Sequence, residues 1–495
     1  MIEGLKPYAE YKETGIPWTR ALPSHWVTKR GKSYLVAIDE RSKAGKEELL
    51  TVSSTRGVVP RSSAKVTMFK AESYAGHKLC WPGDLVINSL WAWGGGLGVT
   101  PHHGIISTAY SVYRSRPSAQ INPRFLHELV RSSAFHWELQ VRSKGVWISR
   151  LQLTDTSFLD APIPLPPPEE QAAIVRFLDH ANRKIDGFIR AKRKLIGLLN
   201  EQKQAIIHRA VTRGLGREEE DPQISQISAD KNSKNLRKSA KSADKKFKPS
   251  GIPWLAEAPA NWTWIPIKLL LSRMDYGTSE KSTASGSIRI LTMGNIQKGE
   301  VTVPRSGGLN CLPDSLLLQH HDLLFTRTNG NPNLVGKVGI FRGEVSDRIS
   351  FASYLVRLRV KRLYDPEWLH MVLNSAAFWP FARSHALVNL QTNLNSTRYG
   401  QFPVPVPPLV EQKEIVKWVG GESVNLNTAI ARTEREIALM QEYRTRLTAD
   451  IVTGKLDVRE AAAKLLDLPG DSVAEEVVDN LDETGNLVET ETEEI

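Results

Sequence analysis

The sequence contains little of what marks secreted, disulfide-stabilised or membrane proteins. Only two of its 495 residues are cysteines, Cys80 and Cys311, too few for a disulfide framework. Its apolar stretches are short and interrupted, so no membrane span is expected. The opening stretch MIEGLKPYAEYKETG lacks the apolar core of a secretory signal. These absences favour a cytoplasmic protein, and a hydrophobic share of 41% is sufficient for folded domains.

Signatures of catalysis are missing as well. Residues 330–338, GNPNLVGKV, resemble a phosphate-binding loop, but five residues separate the glycines and a valine replaces the Ser or Thr that contacts magnesium. The glycine cluster at 93–98 has no acidic partner about 20 residues further on, as a dinucleotide site requires. The histidine pairs at 102–103 and 320–321 have no further ligands at metal spacing. The sequence therefore predicts no catalytic residue and no metal site.

Charge is distributed unevenly along the chain. The net charge is +11, yet residues 457–495 hold 13 acidic and two basic residues, a net of −11. The preceding 456 residues therefore carry +22. A body this basic favours a polyanionic partner, usually nucleic acid, although solubility alone is a simpler alternative. The acidic tail is expected to be flexible after a short helix near 459–468.

The most informative feature is an internal repeat. GIPWTRALPSHW at 15–26 returns as GIPWLAEAPANW at 251–262, an offset of 236. Further matches follow in the same order at offsets of 238 to 243, among them APIPLPPPEEQAAIV at 161–175 and FPVPVPPLVEQKEIV at 402–416. A nearly constant offset indicates a tandem duplication, and its drift indicates loops of different length. The chain is therefore predicted to contain two similar bodies.

Both copies follow the same predicted plan. A GIPW segment leads into a body whose short apolar runs, separated by Gly, Asn and Pro, are typical of strands. The first body also contains a helical stretch at 125–142. A proline-rich strap then precedes a long helix. The predicted fold class is α+β, with two pseudo-twofold-related α/β bodies joined by two long antiparallel coiled-coil helices.

The long helices show the clearest periodicity. Their apolar positions advance in alternating steps of four and three, a 3.5-residue period typical of a coiled-coil seam. Glycines at 187, 197 and 420–421 are expected to mark local bends. Two separate amphipathic helices, each packed on its own body, are the alternative. The predicted seam includes Ile185, Phe188, Leu195, Leu199 and Ile206 in the first helix and Leu426, Ile437, Met440 and Leu447 in the second.

These patterns divide the chain into six segments. Residues 216–247 are polar, rich in Ser and Lys and without periodicity, which predicts a flexible basic linker. The order of the other segments follows from the repeat. They are a first body at 1–160, a strap and central long helix at 161–215, a second body at 248–401, a strap and distal long helix at 402–456, and the acidic tail at 457–495.

Candidate DNA-binding residues lie in loops of the two bodies. The loops 89–98 and 326–336 directly follow matched strands, and 275–283 is another polar loop. Arg pairs with guanine and Asn with adenine in the major groove, so loops of different sequence could read different bases. Ordinary solvated loops are the alternative. The candidates are Arg56, Asn88, Trp91, Trp93, Thr278, Ser279, Lys281, Arg327, Asn329 and Asn331.

Taken together, the doubled motifs resemble the specificity subunit of type I restriction–modification systems. They are the GIPW phrase with its following Pro and Trp, the proline strap with its EQ pair, and the helix ends AVTRGL at 210–215 and IVTGKL at 451–456. The resemblance covers residues 7–456. It implies two target-recognition domains, each reading one half of a bipartite, asymmetric site in double-stranded DNA, with the helices setting the spacer. The linker and the acidic tail are not features of the family.

The resemblance also implies a division of labour among partners. The specificity subunit has no catalytic activity of its own and binds no cofactor. It joins two methylation subunits, which gives adenine methylation from S-adenosylmethionine. Two restriction subunits add DNA translocation and cleavage that depend on ATP and magnesium.

Two other classes of function compete with this interpretation. A self-contained methyltransferase or nuclease is disfavoured because its motifs, including the Asn/Asp-Pro-Pro-Tyr stretch of enzymes that methylate amino groups of DNA bases, are absent. A coiled-coil DNA-binding scaffold that does not read sequence is disfavoured by the divergent loops. DNA binding against scrambled competitor would separate the scaffold from a sequence-specific reader.

Overall fold

A computed structural model describes residues 5–64, 73–145, 151–215, 247–283, 286–329, 331–388 and 392–465. Residues 216–246 of the predicted linker and the acidic tail beyond residue 465 lie outside these ranges. The chain divides into two compact units. Among the described residues, unit 1 comprises those up to Arg193 and those from Thr433 to 465, and unit 2 comprises those of Lys194–Arg432. We call the described part of 5–165 head 1 and that of 247–406 head 2.

Head 1 combines short strands with three helices in its described residues. Its strands are β1 (Tyr11–Ile16), β2 (Thr19–Pro23), β3 (Val27–Arg30), β4 (Leu35–Ile38), β5 (Leu50–Ser53), β6 (Gly57–Pro60), β7 (Lys78–Cys80), β8 (Leu85–Asn88), β9 (Leu97–Val99), β10 (Gly104–Ile106), β11 (Tyr110–Ser115) and β12 (Pro162–Leu165). Its helices are α1 (Pro123–Arg131), α2 (Ser133–Arg142) and α3 (Asp155–Leu159). Strands β4, β11, β8 and β9 form an antiparallel sheet in that order, and β1–β2, β3–β12, β5–β6 and β7–β10 form two-stranded ribbons.

Two features of head 1 differ from the sequence-based expectation. The predicted helical stretch at 125–142 is two helices, because Ser132 leaves the helical conformation and its hydroxyl caps α2 by accepting the N–H of Phe135 at 3.2 Å. The proline strap is a strand, β12, paired only with β3. An edge position tolerates Pro162 and Pro164, which have no N–H to donate.

The first long helix, α4, spans Pro168–Arg213. Proline occupies the first position of the helix, where a backbone N–H would make no hydrogen bond within the helix, so that its absence costs nothing. Glu169 and Glu170 lie in the first turn, where negative charge is favourable. In unit 1 the buried core joins Leu85 and Ile87 of β8 to Phe125 of α1 and to Leu178 of α4. The start of the long helix is therefore part of the core of head 1.

Head 2 has the same plan with larger sheets. Its strands are β13 (Phe247–Ile252), β14 (Leu255–Pro259), β15 (Thr263–Pro266), β16 (Leu271–Tyr276), β17 (Ile288–Leu291), β18 (Ile296–Gln297), β19 (Glu300–Val301), β20 (Gly308–Leu309), β21 (Leu323–Thr326), β22 (Thr328–Asn329), β23 (Val338–Ile340), β24 (Ile349–Phe351), β25 (Leu355–Val360), β26 (Leu387–Val388), β27 (Thr392–Asn393) and β28 (Pro403–Val406). Its helices are α5 (Ile267–Leu270), α6 (Pro366–Leu373), α7 (Phe378–Ser384) and α8 (Ser396–Gln401). The main sheet has the order β16-β25-β21-β23-β19-β18, and β20-β17-β24 and β22-β27-β26 form smaller sheets.

The second long helix, α9, spans Leu409–Val452, and a short helix, α10, follows at Arg459–Ala463. Both long helices are continuous through the glycines that were expected to bend them, and a Cβ added at any of these glycines would meet nothing within 4 Å. No helix within the described ranges combines the length and apolar character that crossing a membrane requires.

Burial along α9 follows the predicted register. Leu426, Ile437 and Met440 are half-buried and Leu447 is buried, at steps that belong to one three-and-four series. The face between them is exposed, with Leu439 at 55% exposure. The stripe continues toward the start of the helix through buried Ser423, Val419 and Ile415.

Burial along α4 corrects the predicted register. Ile185 is buried and Leu199 and Ile206 are half-buried, but Leu195 is 40% and Phe188 37% exposed. Between these positions the less exposed residues are Ile189, Lys192 and Ile196. A step of four from Ile185 to Ile189 moves the stripe by one residue, as a stutter does in a coiled coil. Leu195 and Phe188 therefore lie off the stripe.

Within unit 1 the segments of α4 and α9 run antiparallel. Arg444 donates a hydrogen bond to the carboxylate of Asp186, and Lys192 Nζ lies 2.7 Å from a Glu436 oxygen. Moving forward from Asp186 to Lys192 on one helix corresponds to moving backward from Arg444 to Glu436 on the other. This direction fixes the pairing of the two segments inside unit 1.

An equivalent contact occurs inside unit 2, where Lys203 Nζ donates to Asn427 Oδ1 at 2.9 Å. The repeat offset of 241 converts Asp186 into Asn427 and Lys203 into Arg444. The polar contact between the helices is thus the same repeat-related pair in both units, with the charged acceptor of unit 1 replaced by an amide in unit 2.

Candidate nucleic-acid interface

The GIPW phrase forms the same hairpin in both heads. The glycine of each copy has φ of +67°, a left-handed conformation that favours glycine, and lies at a bulge in its ribbon. The tryptophan of each copy packs edge-on against a phenylalanine, with ring centroids 5.4 Å apart for Trp18–Phe135 and 5.3 Å for Trp254–Phe378. The phrase is therefore scaffold, which fixes the first ribbon of each head onto a helix.

The glutamine of each EQ pair ties a long helix to its head. Gln171 Oε1 accepts the N–H of Asn122 at 2.7 Å, and its Nε2 donates to a strap carbonyl at 2.9 Å. Gln412 makes the same contacts, to the N–H of Asp365 at 2.7 Å and to a strap carbonyl at 2.8 Å. Both glutamines are buried. The repeated EQ pair is therefore explained by backbone groups that need a buried partner.

The strands that lead into the candidate loops are anchored by buried ion pairs. Asp84 immediately precedes β8, and Arg114 donates to both of its carboxylate oxygens at 2.9 Å. Asp322 immediately precedes β21, and Arg359 donates to its oxygens at 2.7 and 2.6 Å. Paired contacts of this kind fix orientation as well as position. The loops at the far ends of β8 and β21 thus start from rigid strands.

In head 1 the tryptophan loop after β8 is held together by its own residues. Asn88 is only 7% exposed, and its Oδ1 accepts the N–H of Leu90 at 3.2 Å. Trp93 Nε1 donates to the carbonyl of Leu90 at 3.0 Å, and a Cβ at Gly94 would lie 2.2 Å from Trp91 Nε1. Trp91 and Trp93 are half-buried. Asn88 is therefore a turn-forming residue, and the prediction that it contacts DNA does not fit its burial.

A second element of head 1 lies beside this loop. Arg56 is exposed in the turn between β5 and β6, where it donates to the carbonyl of Ser63 at 2.9 Å. Arg131 of α1 donates to the carbonyl of Leu97 at 2.6 Å and to that of Ser54 at 2.7 Å. Arg131 thereby brings together the Arg56 turn and the end of the tryptophan loop.

In head 2 two candidate loops meet at the turn 352–354. Arg327 donates its N–H to this turn at 2.9 Å, and the carbonyl of Thr278 accepts an N–H from it at 2.8 Å. Thr278 is 8% exposed, and its Oγ1 accepts the N–H of Glu280 at 3.1 Å. As with Asn88, burial makes Thr278 a turn-forming residue. The neighbouring Ser279 and Lys281 are exposed.

The two predicted asparagines of head 2 shape their own loop. Asn329 Oδ1 accepts the N–H of Asn331 at 2.8 Å, and Asn331 Oδ1 accepts that of Asn333 at 3.0 Å. Such Asx turns are a common use of asparagine in tight loops. Asn331 is exposed and Asn329, two residues after Arg327 in the chain, is half-buried.

Sequence reasoning missed a buried carboxylate in unit 1. Glu170 is 4% exposed; it accepts hydrogen bonds from Tyr8 Oη at 2.6 Å and Trp26 Nε1 at 2.8 Å, and lies 2.7 Å from His25 Nε2. Burial and the neighbouring Glu170 raise the pKa of Tyr8, and the Arg459 guanidinium lies 5.1 Å from the Tyr8 ring centroid. The doubled strap gave a signal for Gln171, whereas the partners of Glu170 come from distant segments.

A repeated pair of half-buried histidines was also missed. His127 Nδ1 lies 3.2 Å from the N–H nitrogen of Val99, and burial with two nearby arginines lowers the pKa of His127 to about 4. His370, at an offset of 243, lies 2.8 Å from the carbonyl of Gly299, and burial lowers its pKa too. The matched LHELV and LHMVL segments contained the signal. Both histidines join a helix to a strand or turn of their head.

Comparisons with known proteins agree with the resemblance indicated by the doubled motifs. No protein-family model matches the chain. The chain is 24% identical over 380 residues to the type I restriction enzyme EcoKI specificity subunit of Escherichia coli (strain K12), a match that covers 71% of this chain and 72% of that protein. The chain is a homologue of type I restriction enzyme specificity subunits. The predicted resemblance is confirmed.

Two further relatives extend this result. The EcoBI specificity subunit of Escherichia coli is 24% identical over 344 residues, covering 64% of this chain and 65% of that protein. A chain from a solved structure on complex assembly and conformational transition of a type I R-M system superposes with a TM-score of 0.54 at 16% identity, covering 88% of this chain and 99% of that one. The structural likeness supports the mixed α/β fold with long helices.

Proposed function

We propose that this chain is the DNA-reading specificity subunit of a type I restriction–modification complex, in which head 1 reads one half of a bipartite DNA site and head 2 reads the other. The observation that carries the proposal is the contrast between scaffold and loops. The hairpin, the strap glutamine and the anchoring ion pair recur in both heads. The loops at the ends of β8 and β21 share neither sequence nor internal contacts.

The long helices would set the distance between the half-sites. We propose a pseudo-twofold arrangement in which α4 and α9 form an antiparallel coiled coil with one head at each end. This arrangement is supported by the repeat-related contacts Asp186–Arg444 and Lys203–Asn427, each within its own unit. A duplicated chain suits a DNA duplex and two copies of a partner, while divergent heads allow the site to be asymmetric.

The catalytic steps would belong to partner subunits. In this proposal the chain binds no cofactor and joins two methylation subunits, so that the complex methylates adenine from S-adenosylmethionine. Two restriction subunits would add ATP- and magnesium-dependent cleavage. The complex would act in the cytoplasm, where it meets DNA. The related solved chain comes from a study of the assembly of such a system, which supports partnership with other subunits.

The basic charge of the first 456 residues, +22, supplies sequence-independent attraction to DNA phosphates. Charge alone would also suit a scaffold that binds DNA without reading it. The homology to specificity subunits and the divergent loops favour the reader over the scaffold.

The proposal is tested by mapping methylated adenines in the host genome with and without this chain, its methylation subunits being present in both strains. We expect one interrupted, asymmetric motif that disappears when the chain is deleted. Purified chain with its methylation subunits should also prefer DNA containing that motif over scrambled DNA of equal length. A motif that persists after deletion, or equal affinity for scrambled DNA, would contradict the proposal.

A further inference from the structure

We propose that Arg327 is the residue of head 2 that reads a guanine, and that Tyr276 and Ser396 are positioning residues that hold its guanidinium in place. This inference rests on the proposed function. It adds the base that is read, the residue that reads it and the residues that hold that residue in place. Neither the contact of Arg327 with Tyr276 nor that of Tyr276 with Ser396 could be read from the sequence pattern.

The backbone of Arg327 is fixed on both sides. Its N–H donates to the carbonyl of Tyr354 at 2.9 Å, and its carbonyl accepts the N–H of Leu394 at 2.8 Å. It directly follows β21, which Asp322 anchors at its other end. The side chain therefore leaves a rigid point of the head, as a residue that discriminates bases must.

The guanidinium of Arg327 rests on an aromatic platform. Its central carbon lies 5.1 Å from the ring centroid of Tyr276, within the range of a cation–π contact. Tyr276 is the last residue of β16 and is 43% exposed, so this platform is at the surface. Its hydroxyl hydrogen-bonds with Ser396 Oγ, and Ser396 is buried in the first turn of α8. The ring is thus held at both ends.

Within the described residues Arg327 has no acidic partner, unlike several other arginines of head 2. Arg357 pairs with Asp275, Arg359 with Asp322, and Arg342 with two glutamates. Among the described residues Arg327 forms no ion pair, and its Nε is buried without a hydrogen-bond partner. Stacking on Tyr276 orients the planar guanidinium of Arg327 and its N–H donors. The described part of head 2 does not supply acceptors for these donors.

The chemistry of that fork points to guanine. Two guanidinium N–H groups match the O6 and N7 acceptors on the major-groove edge of guanine, and no other base presents two acceptors there. A DNA phosphate presents a similar pair of oxygens, but a phosphate contact weakens binding to all sequences alike. The two possibilities therefore differ in what a substitution does to individual base positions.

In head 1 a polar network occupies the position that corresponds to the Arg327 site of head 2. Ser89 occupies the position of Arg327 and Asp155 that of Ser396, at offsets of 238 and 241. Ser89 Oγ lies 3.1 Å from Ser111 Oγ, and Asp155 Oδ1 accepts from Ser111 Oγ at 2.6 Å and from Tyr113 Oη at 2.7 Å. This polar network is internally satisfied. Head 1 must therefore read its half-site from other residues, so a guanine read at this place belongs to head 2 alone.

The experiment measures methylation by the full chain with its methylation subunits on a plasmid library in which each position of the bipartite site is varied singly. The variants are Arg327→Ala, Arg327→Lys, Tyr276→Leu and Tyr276→Phe. The control is Arg305→Ala, which removes an exposed positive charge of head 2 at a different loop. Discrimination is the ratio of methylation rates for the native base and each alternative.

We expect Arg327→Ala to lower discrimination roughly 10- to 100-fold at one guanine of the head 2 half-site and to leave all other positions unchanged. Arg327→Lys should keep the preference for guanine at reduced strength, because lysine lacks the planar fork. Tyr276→Leu should relax the same position less than Arg327→Ala, and Tyr276→Phe should relax it least. Arg305→Ala should leave the discrimination profile unchanged.

Several results would overturn the inference. An unchanged profile for Arg327→Ala would mean that another residue reads the base, and an equal loss at every position would mean a phosphate contact. If Arg327→Ala methylates no library member, the Lys and Tyr276→Leu variants must still relax one guanine, and their failure to do so excludes a reading role. Absence of any bipartite motif in the wild-type complex would instead contradict the proposed function.

Discussion

Head 1 and head 2 keep the same internal scaffold but end their polar networks differently. In head 1 the indole of Trp26 donates to Glu170, a carboxylate that also binds Tyr8 and His25. In head 2 the equivalent indole of Trp262 is equally buried but has no partner among the described residues. The two heads therefore share their packing and their anchoring contacts, whereas the polar partner of this buried indole is present in head 1 alone among the described residues.

The C-terminal segment explains part of this difference. Asp457 donates its N–H to the carbonyl of Lys6 at 2.8 Å, and Val458 and Ala462 join the core of unit 1. Arg459 covers the Tyr8 ring. The start and the end of the described chain thus close unit 1 together, around the same carboxylate that binds Trp26.

The largest expected effect comes from removing the buried carboxylate that, among the described residues, unit 1 has and unit 2 lacks at the equivalent tryptophan. Glu170→Ala should lower the free energy of unfolding of unit 1 by roughly 3–5 kcal/mol, because it leaves buried partners of a charged group unsatisfied. The matched substitution in unit 2, Glu411→Ala, should cost less than Glu170→Ala, since the Glu411 carboxylate is half-exposed and solvent can replace part of its contacts. Hydrogen exchange of peptides from each unit measures the two losses separately. Equal losses in both units would show that the Glu170 cluster is not a special support of unit 1.

A second prediction concerns acid, and here the heads should behave alike. Because burial lowers the pKa of His127 to about 4 from 6.5, the unfolded chain binds a proton that the folded head does not. Above pH 6.5 His127 is neutral in both the folded and the unfolded chain, and its titration lowers the free energy of unfolding very little. As the pH falls toward 4 the free energy of unfolding decreases, by about 3 kcal/mol at pH 4. The pKa of His370 is lowered in the same direction, so head 2 should lose stability in the same sense.

Urea unfolding between pH 7 and pH 4 tests this prediction. His127→Gln should flatten the acid dependence of head 1, and His370→Gln that of head 2, as followed by hydrogen exchange in each. An acid dependence that neither substitution changes would assign it to other groups.

A smaller effect is expected from substitutions that test the corrected register of α4. Ile196→Glu places a charge on the half-buried stripe of α4 and should cost roughly 1–2 kcal/mol. Leu195→Glu, one residue away but 40% exposed, should leave the unfolding midpoint of the isolated chain within about 0.5 kcal/mol. Thermal unfolding of the two variants measures the difference. A larger loss for Leu195→Glu would restore the uninterrupted register predicted from sequence.

The duplication was predictable from the sequence because the same motifs recur in the same order, whereas the contacts that these motifs make became visible only in the structure. Gln171 and Gln412, or Trp18 and Trp254, are recognisable as pairs without a structure. The stutter in α4 was not predictable, since Leu195 and Ile196 are both apolar and only packing selects one of them. Asn88 and Thr278 were predicted to contact DNA, but both are buried and each accepts a backbone N–H of its own turn. The contact of Tyr276 with Ser396 joins residues 120 positions apart, beyond any local pattern.

Genome-wide methylation mapping shows whether each head reads its own half-site. Methylated adenines are mapped genome-wide for the wild-type chain, for a head 1 variant with Arg56→Ala and Trp93→Ala, and for the head 2 variant Arg327→Ala. The account predicts that the head 1 variant relaxes one half of the motif, that the head 2 variant relaxes the other half, and that the spacer is unchanged in both. Relaxation of the same half by both variants, or of both halves by either one, would contradict it.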